Sequence, residues 1–288
     1  MPSTPTFSFR APRASAAGRF FANPAALAGL ALLGLIVAAA LGAPWMFPHD
    51  PLDMVGPPLL WPGQNPAFPL GTDTMGRDVA AGLAHGARVS LAVGLTAAAL
   101  SLTIGISVGA AAGYFGGWTD RVLVRVTELF QTIPAFLLVI VIVAIAQPSV
   151  RVISLAIGAA SWPVVARLVR AEFRALVHSE FVLAARSLGY GHWRMALAEI
   201  LPNALPPVIV ATSVLVANAI LMESALSFMS LGDPNAVSWG SMIGDAREVL
   251  RTSWQLAALP GLSIVATVLS LNLLGDAAND AFNPRLAP

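Results

Sequence analysis

Residues 89–118 decide the fold class, because they read VSLAVGLTAAALSLTIGISVGAAAGYFGGW and contain no charged side chain. About 20 apolar residues are enough for an α-helix to cross the roughly 30 Å hydrocarbon core of a bilayer. An ionised side chain at the bilayer centre costs about 2.5 to 3.5 kcal/mol even on the most lenient insertion scale. The segment therefore predicts a transmembrane helix, in which Gly105 and Gly109 indicate helix packing more than a pore.

Five further stretches without charge predict five more spans. They cover residues 23–48, 129–150, 152–166, 203–222 and 254–275. The stretch 152–166 is the shortest and carries Pro163. The sequence therefore predicts an all-α integral membrane protein with six transmembrane helices.

The composition of the whole chain agrees with a membrane protein and excludes several other classes. Hydrophobic residues make up 57% and charged residues 11%, and the mean hydropathy is +0.75, which lies outside the usual range of soluble domains. The net charge of +1 gives no electrostatic footprint for nucleic acid, so lipid is the expected surrounding and nucleic acid is not an expected partner. The chain has no cysteine, which excludes disulfides, thiolate metal sites and thiol nucleophiles.

The arginines predict the orientation, because short loops that are rich in basic residues stay in the cytoplasm. Eleven arginines fall on one predicted side and five on the other. The first group is Arg10, Arg13, Arg19, Arg121, Arg125, Arg167, Arg170, Arg174, Arg186, Arg194 and Arg285, and the second is Arg77, Arg88, Arg151, Arg247 and Arg251. Both termini are therefore expected in the cytoplasm. An alternative interpretation makes the N-terminus a signal peptide that is cleaved near residues 40–43. The apolar stretch is too long for this, because the apolar core of a signal peptide is usually about 7 to 15 residues.

These segments give a domain organisation in five parts. We expect a cytoplasmic N-terminal tail (1–22), a first transmembrane helix (23–48) and an extracytoplasmic loop (49–87). A membrane core (88–282) follows, with five transmembrane helices and a cytoplasmic loop at 175–202, and the chain ends in a cytoplasmic tail (283–288).

The extracytoplasmic loop is rich in proline and contains one compact polar motif at residues 69–78. It combines two glycines with two hydroxyls, two acids and a base, a composition that suits a tight turn closed by Asp73, Arg77 and Asp78. A structural turn that seats the second span is one interpretation, and a cation or substrate site is the other. The motif residues are Gly71, Thr72, Asp73, Gly76, Arg77 and Asp78.

The cytoplasmic segment 167–202 predicts more than a linker. Arg167, Arg170 and Arg174 share one face of a helical extension of span four, where they would anchor it at the membrane surface. A short amphipathic helix follows, with Ser179 as a plausible cap and Gly189 at its end. Its apolar face is predicted to comprise Phe181, Ala184, Ala185 and Leu188. It would bury that face against this chain, against another protein or, as a re-entrant piece with Trp193 as anchor, against lipid.

The segment resembles the cytoplasmic "EAA" loop of binding-protein-dependent ABC importer permeases. Ala184-Ala185, Gly189 and Leu201-Pro202 carry the resemblance, whereas Leu183 replaces the glutamate of the motif and Glu199 replaces an isoleucine. Residues 69–78 with 86–91, 226–232 with 238–242, and 272–286 resemble the C-type permease subunit of dipeptide, oligopeptide and nickel importers.

This resemblance implies a type I ABC importer permease fold with a cytoplasmic coupling helix, in a bacterial inner membrane. The coupling residues would be Phe181, Ala184, Ala185, Leu188, Gly189 and Pro202. It also implies three kinds of protein partner: a B-type permease subunit, two cytoplasmic ATPase subunits, and an extracytoplasmic binding protein. ATP and Mg²⁺ would be bound by the ATPases, because this chain has no phosphate-binding loop motif and no lysine, and would be non-catalytic.

The translocation pathway is harder to predict. Few charged side chains lie in or near the spans, and the charged and polar candidates are Glu128, Ser213, Asn218 and Glu223. The alternative classes are a secondary transporter or channel without ATPase partners, and a membrane-embedded enzyme. The four histidines fall outside the predicted spans, which disfavours the enzyme.

Overall fold

The computed structural model describes residues 16–282, whose regular elements are all helices, with no β-strand. The predicted tail 283–288, most of the predicted tail 1–22, and Arg10, Arg13 and Arg285 lie outside the described residues. The elements are α1 (Ala16–Ala22), α2 (Pro24–Met46), α3 (Val79–Phe115), α4 (Gly117–Thr132), α5 (Ala135–Ala146), α6 (Val150–Leu176), α7 (Glu180–Ser187), α8 (His192–Arg194), a π-helix (Met195–Ile200), α9 (Leu201–Phe228), α10 (Trp239–Ala246), a 3₁₀ turn (Arg247–Val249) and α11 (Gln255–Phe282).

Five helical segments are long and apolar enough to cross a membrane, and the total rises to six if the bent pair of α4 and α5 is one span. The five are α2, α3, α6, the continuous run from α8 to the end of α9, and α11. The all-helical membrane fold predicted from the sequence is therefore confirmed.

The predicted span at 129–150 is not one continuous helix. Helices α4 and α5 meet at an angle of 78° around Ile133 and Pro134. The ring of a proline disfavours helical torsions in the residue before it, and Ile133 is indeed extended, with φ −97° and ψ 126°. The sixth span is therefore an amphipathic helix joined to a short apolar one.

The fourth span is longer than the predicted stretch 152–166. Helix α6 runs for 27 residues, begins with the Ser149 hydroxyl accepting a hydrogen bond from the Val152 amide at 3.2 Å, and continues through Pro163. Its last third carries Arg167, Arg170 and Arg174, so that α6 projects beyond its uncharged part.

The centre of the molecule is the contact between α3 and α6. Gly105, Gly109 and Gly113 recur every fourth residue on α3 and lie against α6. A Cβ atom on Gly109 would lie 2.5 Å from the carbonyl oxygen of Ala166, and one on Gly105 would lie 2.4 Å from Cβ of Val165. Such small residues let two helix backbones approach closely, which is how membrane helices gain packing energy without a hydrophobic driving force.

The remaining helices pack around this pair. Helix α5 covers the half of α6 near Ile153 and Ile157, and α9 packs against both α3 and α6. Helices α2 and α11 pack against each other beyond α9, where Gly29 of α2 lies against Ser270 and Leu273 of α11. We call the two ends of the bundle the α7 end and the α10 end, after the short helices that each carries.

Candidate functional site

Helix α7 begins where the sequence predicted, but its cap differs. Ser179 occupies the N-cap position, and its backbone carbonyl accepts hydrogen bonds from the amides of Val182 and Leu183. The predicted side-chain cap is wrong, because the Ser179 hydroxyl donates to the carbonyl of Leu176 at 2.6 Å. That bond links the end of α6 to the start of α7.

The structure divides the apolar side chains of α7 into two adjacent stripes. Val182 and Ala185 are buried in this chain, and Val182 packs in a cluster that includes Phe173 and Ile200. Of the predicted apolar face, only Ala185 is buried. The other three residues lie at i, i+3 and i+7 and stay uncovered: Phe181 is 40% exposed, Ala184 is exposed and Leu188 is 74% exposed. One stripe of the helix thus packs against its own chain, and the other stripe is exposed.

Gly189 ends α7 in the left-handed region, with φ +78°. Its amide donates to the carbonyl of Arg186 at 3.0 Å, and the next amide, of Tyr190, donates to the carbonyl of Ala185 at 3.2 Å. A Cβ added to Gly189 would meet no neighbouring atom within 4 Å, so conformation and not space favours glycine here. The predicted helix end at Gly189 is confirmed.

A π-helix follows, which the sequence did not predict. It covers Met195–Ile200 and leads into α9, where Pro202 lies in the first turn. Single π-turns are rare and occur frequently at functional sites. On the other side of this segment, the Tyr114 hydroxyl and Nδ1 of His192 are 2.9 Å apart, which fastens the end of α3 to α8.

An ion cluster joins α4 to α6 at the α7 end. Asp120, in the first turn of α4, accepts two hydrogen bonds from the Arg170 guanidinium, one of them at 2.8 Å, and Arg174 lies 3.7 Å away. Side-chain exposure is only 16% for Asp120 and 29% for Arg170. The sequence predicted membrane anchoring for these arginines, but two of the three bind a carboxylate of their own chain.

A double-mutant cycle should show that this pair contributes to stability. We expect Asp120→Ala and Arg170→Ala each to lower the free energy of unfolding by about 1.5 to 3 kcal/mol, with a coupling energy above about 1 kcal/mol. The control is the pair of Arg125 and Glu128, at 3.4 Å and with side chains 78% and 56% exposed, which should couple by less than about 0.5 kcal/mol. Thermal unfolding in detergent measures both cycles, and equal coupling energies would contradict the assignment.

The motif before α3 forms a structural turn. The Asp73 carboxylate accepts hydrogen bonds from the amides of Met75 and Arg77, both at 2.8 Å. Asp78 caps α3 by accepting from the Ala80 amide. Gly71 and Gly76 both have positive φ, and a Cβ on Gly71 would lie 2.0 Å from the Leu60 carbonyl oxygen. The fully buried Thr72 accepts from the Leu60 amide and donates to the Pro57 carbonyl.

Arg77 closes the predicted turn with its backbone, whose carbonyl accepts a hydrogen bond from the Asp73 amide at 3.0 Å, while its side chain reaches α10. Its guanidinium lies 3.7 Å from the Asp245 carboxylate. Both residues line a cavity of about 310 Å³. Partial burial raises the pKa of Asp245; Arg77 acts in the opposite direction, and the Asp73 carboxylate in the same direction. This contact ties the loop before α3 to α10.

Two of the four pathway candidates lie inside the chain. Glu223 is 2% exposed and accepts hydrogen bonds from Ser227 at 2.7 Å and from Ser90 at 3.4 Å. Ser213 lies against α11, where a Cβ on Gly275 would come within 2.2 Å of its hydroxyl. Sequence reasoning missed Ser90 as a partner of Glu223, because 133 residues separate them.

The other two candidates face outwards. Asn218 is exposed and lines a groove of about 580 Å³ between α5, α6 and α9, together with Phe136, Ser161 and Val214. Among the described residues its side chain has no hydrogen-bond partner. Glu128 is exposed on α4 beside Arg125. Exposing the unpaired Asn218 amide to hydrocarbon would cost free energy. This cost indicates that something other than lipid covers this face.

Family comparisons agree with this geometry. Residues 74–288 match the family described as binding-protein-dependent transport system inner membrane component. Residues 12–63 match the N-terminal TM domain of oligopeptide transport permease C.

Several curated relatives resemble the chain over nearly its full length. The di/tripeptide transport system permease protein DppC of Pseudomonas aeruginosa is 37% identical, over 99% of this chain and 96% of its own. The dipeptide transport system permease protein DppC of Haemophilus influenzae is 35% identical, over 99% of both chains. The glutathione transport system permease protein GsiD of Pectobacterium atrosepticum is 34% identical, over 93% of this chain and 89% of its own.

A solved structure shares the fold. A chain of the MetNI methionine ABC transporter, captured in inward-facing conformations, matches with a TM-score of 0.59 and 15% identity. The match covers 70% of this chain and 97% of that chain.

Proposed function

The chain belongs to the binding-protein-dependent transport system inner membrane components, and on that premise we propose that it is one of two permease subunits of an ATP-driven importer of di- or oligopeptides. The names of its relatives support peptides as cargo, since they are described as dipeptide, di/tripeptide and glutathione permeases. The chain itself would be non-catalytic. Two cytoplasmic ATPases would hold ATP and Mg²⁺, and an extracytoplasmic protein would deliver the peptide.

The observation that carries this proposal is the uncovered stripe of α7. Phe181, Ala184 and Leu188 are apolar, lie on one helical face and have no cover within the described chain. A helix at the end of the bundle that leaves such a stripe exposed suits a groove on a partner protein. Ala184 would allow close approach, and Ala185 would hold the helix to its own subunit.

Movement of the ATPases would reach the spans through both ends of α7. The Ser179 to Leu176 hydrogen bond links α7 directly to α6, and Gly189 with the π-helix and Pro202 links it to α9. Rigid-body motion of α7 would therefore act on two helices of the bundle core at once.

The pathway would run along the groove that holds Asn218. Helices α5, α6 and α9 form one wall, and the second, B-type subunit would supply the other. Glu128 would lie towards the cytoplasmic mouth, whereas Ser213 and Glu223 would position helices from within. In this orientation the α7 end and both termini lie in the cytoplasm and the α10 end faces the binding protein.

Reconstitution tests the proposal. The chain with a B-type permease, the ATPases and the binding protein should accumulate a labelled dipeptide in proteoliposomes only when ATP is present on the α7 side. Omission of either permease or of the ATPases should reduce uptake to the background of empty liposomes. Peptide movement through the chain alone would contradict the proposal and favour a channel or secondary transporter.

A further inference from the structure

We propose that a cavity between α3, α4 and α6 at the α7 end binds the phosphate group of an anionic phospholipid. The cavity measures about 270 Å³, and its polar wall consists of Thr127, Glu128, Gln131, Arg167 and Arg170. The assignment of its leaflet rests on the proposed function, which places the α7 end in the cytoplasm.

The cavity lies at the level where α6 changes from an uncharged to an arginine-rich sequence. Helix α4 is fixed to α6 at two levels: Asp120 binds Arg170, and the ring of Phe130 packs edge-on against Trp162 with 5.2 Å between centroids. Eight residues of α6 separate these contacts, so α4 rises about 12 Å along α6. Arg167 lies between the two levels, where α6 leaves its uncharged section.

The local charge is complementary to an anion. Arg167 is exposed, and its side chain makes no hydrogen bond or ion pair with any other residue in 16–282. On α4 and on α6 from Arg167 onward, arginines outnumber acids. The arginines are Arg121, Arg125, Arg167, Arg170 and Arg174, and the acids are Asp120, Glu128 and Glu172. Basic pockets between transmembrane helices on the cytoplasmic side bind anionic headgroups. Arg170 is occupied by Asp120, which leaves Arg167 as the free cation of this cavity within the described chain.

Helix α4 also provides a place for an acyl chain. Four of its exposed apolar residues follow one face, at i, i+4, i+8 and i+11, and are Trp118, Val122, Val126 and Leu129. Arg121 and Arg125 border this face. An amphipathic helix with tryptophan at its end and arginine at its edge is typical of the membrane interface. A water-filled pathway on this side would leave these four apolar side chains in water, so the stripe favours hydrocarbon.

Native mass spectrometry of the assembled importer tests the site. The complex is released from nanodiscs that contain equal amounts of phosphatidylglycerol and phosphatidylcholine, and the lipids retained on this chain are counted. We expect wild type to retain phosphatidylglycerol preferentially. Arg167→Ala and Arg167→Gln should each lower its retention about fivefold, the effect of one basic residue at an anionic surface.

The matched control is Arg151→Ala, an exposed arginine at the other end of the same helix, which should retain the lipid as wild type does. Equal retention by the Arg167 variants would overturn the proposal, as would loss of lipid on addition of inorganic phosphate, which would indicate a site for free anions. A changed peptide preference of Arg167→Ala with unchanged lipid would also overturn it, because the residue would then face the pathway. Uptake by the wild-type importer tests the proposed function separately.

Discussion

Gly109→Val should strongly destabilise the folded protein. The new Cβ would lie 2.5 Å from the carbonyl oxygen of Ala166 and 2.8 Å from Cβ of Val169, and 3.0 Å from the amide nitrogen of Arg170. Two of these atoms belong to the α6 backbone and cannot rotate away, so α3 and α6 must separate. Overpacking costs about 1 to 3 kcal/mol where side chains can yield, and we expect at least about 3 kcal/mol here.

Thermal unfolding and gel filtration in mild detergent measure this effect. For a chain of this size about 1 kcal/mol shifts Tm by roughly 2 to 4 °C, so Gly109→Val should lower Tm by about 6 to 12 °C or fail to yield a monodisperse peak. The control is Gly34→Val in α2, an exposed position where a Cβ meets no atom within 4 Å. It should leave Tm within about 2 °C, since valine has the better helix propensity. A Gly109→Val protein as stable as the control would refute the close α3–α6 contact.

The sequence predicted those features that depend on local composition. Absence of charge located the spans, and the four-residue spacing of Gly105 and Gly109 indicated a packing face. Gly189 marked the end of α7 because few other residues adopt positive φ without strain. Each of these inferences concerns residues within one or two helical turns.

The features that the sequence missed depend on partners far away in the chain. Asp120 and Arg170 are 50 residues apart, and nothing in the local pattern of either indicates the other. The break at Pro134 was missed for a different reason: an uncharged run suggested one straight span, and the charges of the amphipathic stretch before it placed that stretch outside the span. Proline geometry outweighed hydropathy at this point.

Helix α7 shows what periodicity leaves undecided. A helical wheel identified an apolar face but placed Phe181, Ala185 and Leu188 together and left out Val182. Which apolar residues touch their own chain depends on how α7 docks on Phe173 and Ile200, which only the fold determines. The distinction matters, because residues on the uncovered stripe can be changed without unfolding the subunit.

Ala184→Glu should therefore stop peptide uptake while leaving the subunit folded. Ala184 is exposed in this chain, so a glutamate there remains in water until α7 enters the proposed groove on an ATPase. Burying an unpaired carboxylate at that contact costs several kcal/mol. We expect ATPase association and ATP-dependent uptake to fall at least about 100-fold, since each 1.4 kcal/mol is a factor of ten.

The neighbouring position gives a matched control. Leu183→Glu adds the same charge to a side chain that is already 47% exposed, and successive helical residues point about 100° apart, so it lies off the uncovered stripe. The variant should therefore bind the ATPases and transport as wild type does. Pull-down of the ATPases and uptake in proteoliposomes measure both variants. If both lose uptake equally, charge near α7 and not the stripe determines coupling; if Ala184→Glu transports normally, α7 is not the contact through which ATP drives this permease.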